Sequence, residues 1–184
     1  MNKKIQFILL IIFLIIIGII VYIHPKEEVI ENPFVSNFEE CVAVGGLVME
    51  SYPRQCKYGE KTFVENIGNE LEKTDIINLE SPRPNQVVES PLVIKGQARG
   101  FWFFEASFPI VLTDWDGRII AEGIAEAKSD WMTTEFVPFE ATLIFEADKD
   151  VYSNNGSLIL QKDNPSGLPE NDDALEIPII IGKN

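Results

Sequence analysis

The sequence predicts an all-β protein, in which a β-sandwich of about seven strands follows one transmembrane helix and a small disulfide-bonded unit. Three observations support this prediction. Apolar and polar residues alternate with a period of two from Ile76 onward. An uncharged apolar run extends from Ile5 to Ile23. Two cysteines, Cys41 and Cys56, lie between this run and the alternating region.

The apolar run from Ile5 to Ile23 contains one polar residue, Gln6, and no charged residue. A helix of this length spans roughly 30 Å, the thickness of the hydrocarbon core of a bilayer. Lys3 and Lys4 precede the run and acidic residues soon follow it, which by the positive-inside rule leaves the amino terminus in the cytoplasm. We therefore expect a single-pass signal anchor in the cell membrane, with an extracytoplasmic C-terminal domain.

A cleaved signal peptide and a buried core helix are the two alternatives for this run. A signal peptide has a shorter apolar core, about 7–15 residues, followed by a cleavage site of small residues. The run ends instead in Val21-Tyr22-Ile23-His24-Pro25, which has no such pattern. A helix that is apolar on all sides is rare in a small soluble domain. The retained anchor is therefore the preferred interpretation.

Changes in composition divide the chain into five segments. A stretch with prolines and charges follows the anchor, and a compact stretch with both cysteines comes next. A short polar linker then leads into the alternating region. The predicted segments are an anchor at 1–24, a stalk at 25–37, a two-cysteine unit at 38–66, a linker at 67–75 and a β-sandwich at 76–182.

The part of the chain after the anchor is strongly acidic. All 29 acidic residues, but only 13 of the 15 lysines and arginines, follow His24, which gives this part a formal charge of −16. Such a charge argues against binding to nucleic acid or to anionic lipid headgroups. His24 is also the one histidine of the chain, so the predicted outer domain lacks the usual general base and the usual zinc ligand. We therefore expect that the protein is not an enzyme and that it has no catalytic residue, no bound metal and no cofactor.

With such an anchor, Cys41 and Cys56 would lie on the extracytoplasmic side of the membrane, where disulfides persist. A bridge between them would close a loop of about 15 residues and contribute ~3 kcal/mol in the chain-entropy model. Two thiols without histidine make a poor metal site, and their spacing differs from that of a C-x-x-C redox pair. The sequence therefore predicts a structural Cys41–Cys56 disulfide.

Alternating apolar residues mark the strands of the predicted sandwich. In each segment one face is apolar and the other is mixed, as expected for strands that cover a core. Turn residues such as Asp116-Gly117 and Asn155-Gly156 separate the segments. The predicted strands are Ile76–Leu79, Leu92–Arg99, Phe104–Thr113, Arg118–Ala127, Phe139–Glu146, Ser157–Gln161 and Leu175–Ile181.

Residues from about Ile76 to Ile181 resemble the immunoglobulin-like domain of bacterial spore germination proteins. The resemblance is carried by Ser90–Arg99, Phe103–Pro109, Asp116-Gly117, Gly123, Trp131-Met132, Pro138-Phe139, Asn164–Gly167 and Ile177-Pro178. It implies an immunoglobulin-like sandwich in a bacterial envelope protein. It implies no catalytic activity, because the family's domain is an accessory module.

The densest aromatic cluster, Phe101 to Phe104, is the predicted binding surface. Strand alternation would place Trp102 and Phe104 on one face and Phe101 and Phe103 on the other. We expect Trp102 and Trp131 in the core and an exposed contact face at Phe101, Phe103 and Trp115, because exposed apolar patches mark contact surfaces. The residues that flank the cluster, Arg99 and Glu105, belong to the predicted binding surface and would form a cross-strand ion pair.

Aspartates near the turns could form a calcium site, which is a weaker alternative to an ordinary role in the turns. Asp114, Asp116, Asp148 and Asp150 could supply oxygen ligands, but calcium needs about 6–8 of them brought together. Turn formation explains Asp and Gly at these positions equally well.

The sequence therefore favours a non-catalytic envelope module that binds another protein or a cell-wall polymer. A glycan hydrolase that uses two carboxylates and a passive structural spacer are the alternatives.

Overall fold

The computed structural model describes residues 4, 6, 11–17, 19, 33–148 and 150–182. The described residues before position 20 are helical, and the rest of the predicted anchor and most of the stalk lie outside the described residues. Within these described ranges, no helix has both the length and the apolar character needed to cross a membrane. The chain from Ser36 onward forms one compact unit that includes the two-cysteine unit and the strands that follow it.

The two-cysteine unit contains a short helix and a three-stranded antiparallel sheet. Helix α1 (Phe38–Ala43) precedes strands β1 (Leu47–Met49), β2 (Gln55–Tyr58) and β3 (Lys61–Val64), which pair in the order β1-β2-β3. Asn37 caps the helix. Its side-chain oxygen accepts a hydrogen bond from the backbone N–H of Glu40 at 2.8 Å.

The predicted disulfide between Cys41 and Cys56 is confirmed and joins α1 to β2. Both cysteines are fully buried. Gly46 packs against the bridge so closely that a Cβ at this position would lie 2.5 Å from the Cys41 Sγ. The bridge therefore stands at the centre of a unit that is too small to be held by an apolar core alone.

The alternating region folds into eight strands. Seven of them match the predicted strands with bounds shifted by up to three residues, and one two-residue strand, β5, is additional. The strand order is β4-β6-β9-β8-β7-β10-β11-β5, antiparallel except for the pairing of β11 with β5. The strands are β4 (Ile77–Ser81), β5 (Val87–Val88), β6 (Leu92–Arg99), β7 (Ser107–Asp114), β8 (Ile119–Ala127), β9 (Phe136–Leu143), β10 (Asn155–Gln161) and β11 (Ala174–Ile181).

This sheet folds over itself into two layers, as predicted for a sandwich. Strands β8 and β9 share only two residue pairs, so the sheet can bend sharply between them. The rings of Phe108 on β7 and Phe139 on β9 lie 4.9 Å apart, although β8 separates these strands in the sheet order. Side chains of both layers form one buried core, which includes Trp102 as expected. Trp131 packs against the core and is partly buried.

The strand predicted to begin at Phe104 begins instead at Ser107. Gly100–Trp102 form a 3-10 turn, and Glu105 and Ala106 have φ angles of 50° and 62°. A backbone in this left-handed region cannot continue an extended strand. The alternation of side chains is therefore interrupted before β7.

The linker predicted at 67–75 contains a short helix, α2 (Glu70–Lys73), and lies along strand β11. The backbone N–H of Asn69 donates to the carbonyl of Glu176 at 3.1 Å, and the side-chain oxygen of Asn69 accepts from the N–H of Glu176 at 2.8 Å. Lys73 also forms an ion pair with Asp173. These contacts fix the linker to the sandwich.

Candidate binding cleft

A cleft of about 910 Å³ lies between the two-cysteine unit and the sandwich. Its sandwich wall is the outer face of β10 and β11 together with the turn that follows β7. Every second side chain of β10 contributes to this wall, because successive residues of a strand point to opposite faces of the sheet. The walls include Val42, Val48 and Arg54 on one side and Trp115, Ser157 and Ile180 on the other.

Asn85 connects the two walls of the cleft. Its side-chain amide donates to the Glu65 carboxylate at 3.1 Å and to the backbone carbonyl of Asn66 at 2.8 Å, both in the two-cysteine unit. Its backbone N–H donates to the carbonyl of Pro178 on β11 at 2.7 Å. Asn85 has a φ of 61°, a conformation that asparagine tolerates better than most residues. One residue thus links both sides of the cleft.

A second connection centres on Glu70, which is only 5% exposed. Its carboxylate pairs with Arg83 at 2.6 Å and accepts a hydrogen bond from the Tyr52 hydroxyl. Arg83 also donates to the Tyr52 hydroxyl at 2.7 Å and to the Leu79 carbonyl at 2.6 Å. Burial raises the pKa of Glu70, and the pairing with Arg83 partly offsets that rise. The two-cysteine unit, the linker and the sandwich each contribute to this network.

The carboxylates of Glu65 and Asp114 in the cleft walls are both stabilised in the ionised form. Hydrogen bonds from Arg54 at 2.8 and 2.5 Å lower the pKa of Glu65. Burial acts to raise the pKa of Asp114, but hydrogen bonds from the backbone N–H groups of Arg118 and Asp116 outweigh it, so this pKa is also lowered. Neither group is suited to act as a general acid at neutral pH, because that role requires a raised pKa.

Trp115 is exposed, as predicted, and lies at the cleft. It follows β7 in the turn to β8, and its side chain is 46% exposed. Its ring centroid lies 5.4 Å from that of Tyr152, which is 90% exposed. The two rings form an open aromatic surface beside the cleft.

The structure does not bring the predicted contact residues together. Phe101 and Glu105 precede β7, whereas Trp115 follows it. With a rise of about 3.3 Å per residue, the ends of this strand are separated by roughly 23 Å. Phe101, which is 56% exposed, and Trp115 therefore belong to opposite ends of the sandwich.

The prediction that Phe103 lies on the exposed face is wrong. Phe103 is 4% exposed, and its ring packs edge-on against that of Phe108 at 5.2 Å between centroids. The 3-10 turn at Gly100–Trp102 changes the direction of the chain, so strand alternation does not apply there.

The predicted ion pair between Arg99 and Glu105 is also wrong. Arg99 pairs with Glu135 at 3.8 Å, and its guanidinium lies 4.0 Å from the ring centroid of Phe136, its partner residue on β9. Glu105 occupies the positive-φ segment before β7 rather than a position opposite Arg99.

The aspartates considered for calcium have other partners or are spread along the chain. The Asp114 carboxylate accepts hydrogen bonds from backbone N–H groups of the turn, as is usual for an aspartate in a turn. It also forms an ion pair with Arg118 at 3.0 Å. Among the residues that the structure describes, no group of three or more His, Cys, Asp or Glu side chains is placed to hold a metal ion.

Asn85 and Ser157 are cleft residues that sequence reasoning missed. Asn85 follows Pro84 and reads as an ordinary turn residue, and Ser157 reads as the polar face of a strand. Their shared position depends on how two parts of the chain dock, which no local pattern records. The proline-rich sequence around Asn85 was the only available signal, and it indicates a turn rather than a contact.

A family model described as the immunoglobulin-like domain of bacterial spore germination matches residues 76–167, half of the chain. The matched segment contains β4 to β10, whereas β11 and the two-cysteine unit lie outside it. No curated protein and no solved structure matches the chain.

Proposed function

Because the chain belongs to the family of the immunoglobulin-like domain of bacterial spore germination, we propose that it is a non-catalytic binding module of the bacterial cell envelope. Its ligand is an extracytoplasmic partner, either another envelope protein or a cell-wall polymer. The main observation that supports this proposal is the cleft between the two-cysteine unit and the sandwich, with Trp115 in its wall.

The size of the cleft and the contacts between its two walls support a binding role. Ligand sites are usually preformed clefts of about 300–1,000 Å³, and this cleft of about 910 Å³ falls within that range. Asn85 and the network around Glu70 hold its two walls together. Tryptophan is also frequent among the residues that contribute most to binding. The paired and ionised state of Glu65 and Asp114 does not favour the hydrolase alternative.

The apolar run at residues 5–23 supports a membrane tether for this module, with the amino terminus in the cytoplasm. Protease added to intact cells should then digest the part of the chain after position 36 and leave the amino-terminal residues protected. Digestion only after the cells are lysed would contradict an extracytoplasmic location.

Binding through the cleft is tested by replacing Trp115 with alanine in the full-length chain purified in detergent. Retention on isolated envelope fractions should fall by at least about tenfold, since loss of a central aromatic contact commonly costs more than about 1.4 kcal/mol. The matched control is Phe101→Ala, which removes another exposed aromatic ring from the opposite end of the sandwich. We expect this control to bind like the wild type. Equal retention of the wild type and Trp115→Ala would contradict binding of the ligand through the cleft.

A further inference from the structure

The aromatic surface beside the cleft suits the apolar face of a sugar ring. Trp115 and Tyr152 are both exposed, and their ring centroids lie 5.4 Å apart. The C–H groups on one face of a pyranose pack well against a flat aromatic ring, because the ring face carries partial negative charge. The two ring planes are inclined at 51° to each other, so they form an angled aromatic surface rather than one flat platform.

The adjoining strand supplies polar side chains to the cleft. Asn155 and Ser157 of β10 line the cleft and lie two residues apart, so their side chains point to the same face of the sheet. Neither side chain has a hydrogen-bond partner within the part of the chain that the structure describes. An amide and a hydroxyl can each donate and accept a hydrogen bond, which matches the double role of a sugar hydroxyl.

The charges of the cleft disfavour an anionic ligand. The arginine in the cleft wall, Arg54, is already held by two hydrogen bonds to Glu65, at 2.8 and 2.5 Å. The chain as a whole carries a formal charge of −14. A polymer rich in phosphate or carboxylate would therefore meet repulsion and find no available cation among the described residues that line the cleft.

We propose that the cleft binds an uncharged glycan strand, with sugar rings stacked on Trp115 and Tyr152 and sugar hydroxyls bonded to Asn155 and Ser157. This inference rests on the proposed function, since it assigns a ligand class to the same cleft. Of the two partners considered above, it selects the cell-wall polymer over the envelope protein.

The test is isothermal titration calorimetry of the full-length chain in detergent with an N-acetylglucosamine hexamer as the uncharged probe. Polyphosphate serves as the anionic probe. We expect saturable binding of the hexamer and none of polyphosphate. Trp115→Ala and the double variant Asn155→Ala/Ser157→Ala should each weaken hexamer binding by about tenfold or more, whereas Trp115→Tyr should retain most of it. Phe101→Ala should bind like the wild type.

Three outcomes would overturn the inference, and they distinguish it from the proposed function. Envelope fractions that bind in a Trp115-dependent way, without hexamer binding, would leave the proposed function intact and indicate a protein partner. Hexamer binding that is unchanged in both cleft variants would place the glycan elsewhere on the chain. Absence of binding to both the hexamer and the envelope fractions would contradict the inference and the proposed function together.

Discussion

Replacing Phe108 with alanine is expected to lower the free energy of unfolding by about 3–5 kcal/mol, the usual cost of removing a buried phenylalanine ring. Phe108 is fully buried and makes edge-on contacts with Phe103 and Phe139, which lie in different parts of the core. Since a domain of this kind is stable by only about 5–15 kcal/mol, the variant should lose a large share of its stability. Urea unfolding followed by tryptophan fluorescence, to which the buried Trp102 contributes, measures the loss.

The control for this prediction is Phe104→Ala in the same aromatic cluster. Phe104 is 41% exposed, and its contacts with Ser107 are made by the backbone, which alanine retains. We expect a cost below about 1 kcal/mol, as for most surface substitutions. Equal losses for the two variants would contradict the assignment of Phe108 to the contact between the two layers.

The second large effect is expected for Gly68→Ala, which should release the two-cysteine unit from the sandwich. Gly68 has a φ of 69°, and a Cβ at this position would lie 1.9 Å from the carbonyl oxygen of Glu176 on β11. Left-handed strain of about 1–2 kcal/mol and overpacking of about 1–3 kcal/mol together predict a loss of roughly 2–5 kcal/mol. Binding to envelope fractions should fall as well, because the linker that holds one wall of the cleft is displaced.

Gly59→Ala is the matched control for Gly68→Ala. Gly59 has a similar φ of 59°, but open space surrounds the position where its Cβ would lie. This variant should therefore show the backbone strain of about 1–2 kcal/mol alone and keep its binding. Limited proteolysis of the two-cysteine unit, together with urea unfolding, compares the two variants. Equal behaviour would mean that the contact with Glu176 does not hold the linker.

The strands of the sandwich were predictable because burial on one face leaves a pattern of period two in the sequence. Strand β6 has the predicted bounds, Leu92–Arg99, since its two faces differ in polarity along its whole length. The disulfide was predictable from the number and position of the cysteines. The pattern was misleading where the chain turns at Gly100, whose Cβ would lie 1.9 Å from the carbonyl oxygen of Thr133. A run of aromatic residues does not reveal such a turn.

The cleft was not predictable from local patterns, because residues far apart in the sequence form it. Asn85 reaches Glu65 across 20 positions, and Asn69 reaches the carbonyl of Ala174 across 105 positions. Such docking depends on the shape of two folded parts rather than on the periodicity of either. Trp115 was identified because a tryptophan in a turn is expected to be exposed, but its neighbours in the cleft carry no comparable signal.

Site-specific photo-crosslinking in intact cells tests most directly whether this protein binds its envelope ligand through the cleft. A photoreactive aromatic amino acid, which keeps a ring at position 115, is placed at Trp115, at Ser157 or, as the control, at Phe101. Binding through the cleft predicts that the first two positions capture one common extracytoplasmic component and that the third does not. Binding through the cleft would be contradicted if an extracytoplasmic component were captured only from position 101. It would also be contradicted if all three positions captured only cytoplasmic components.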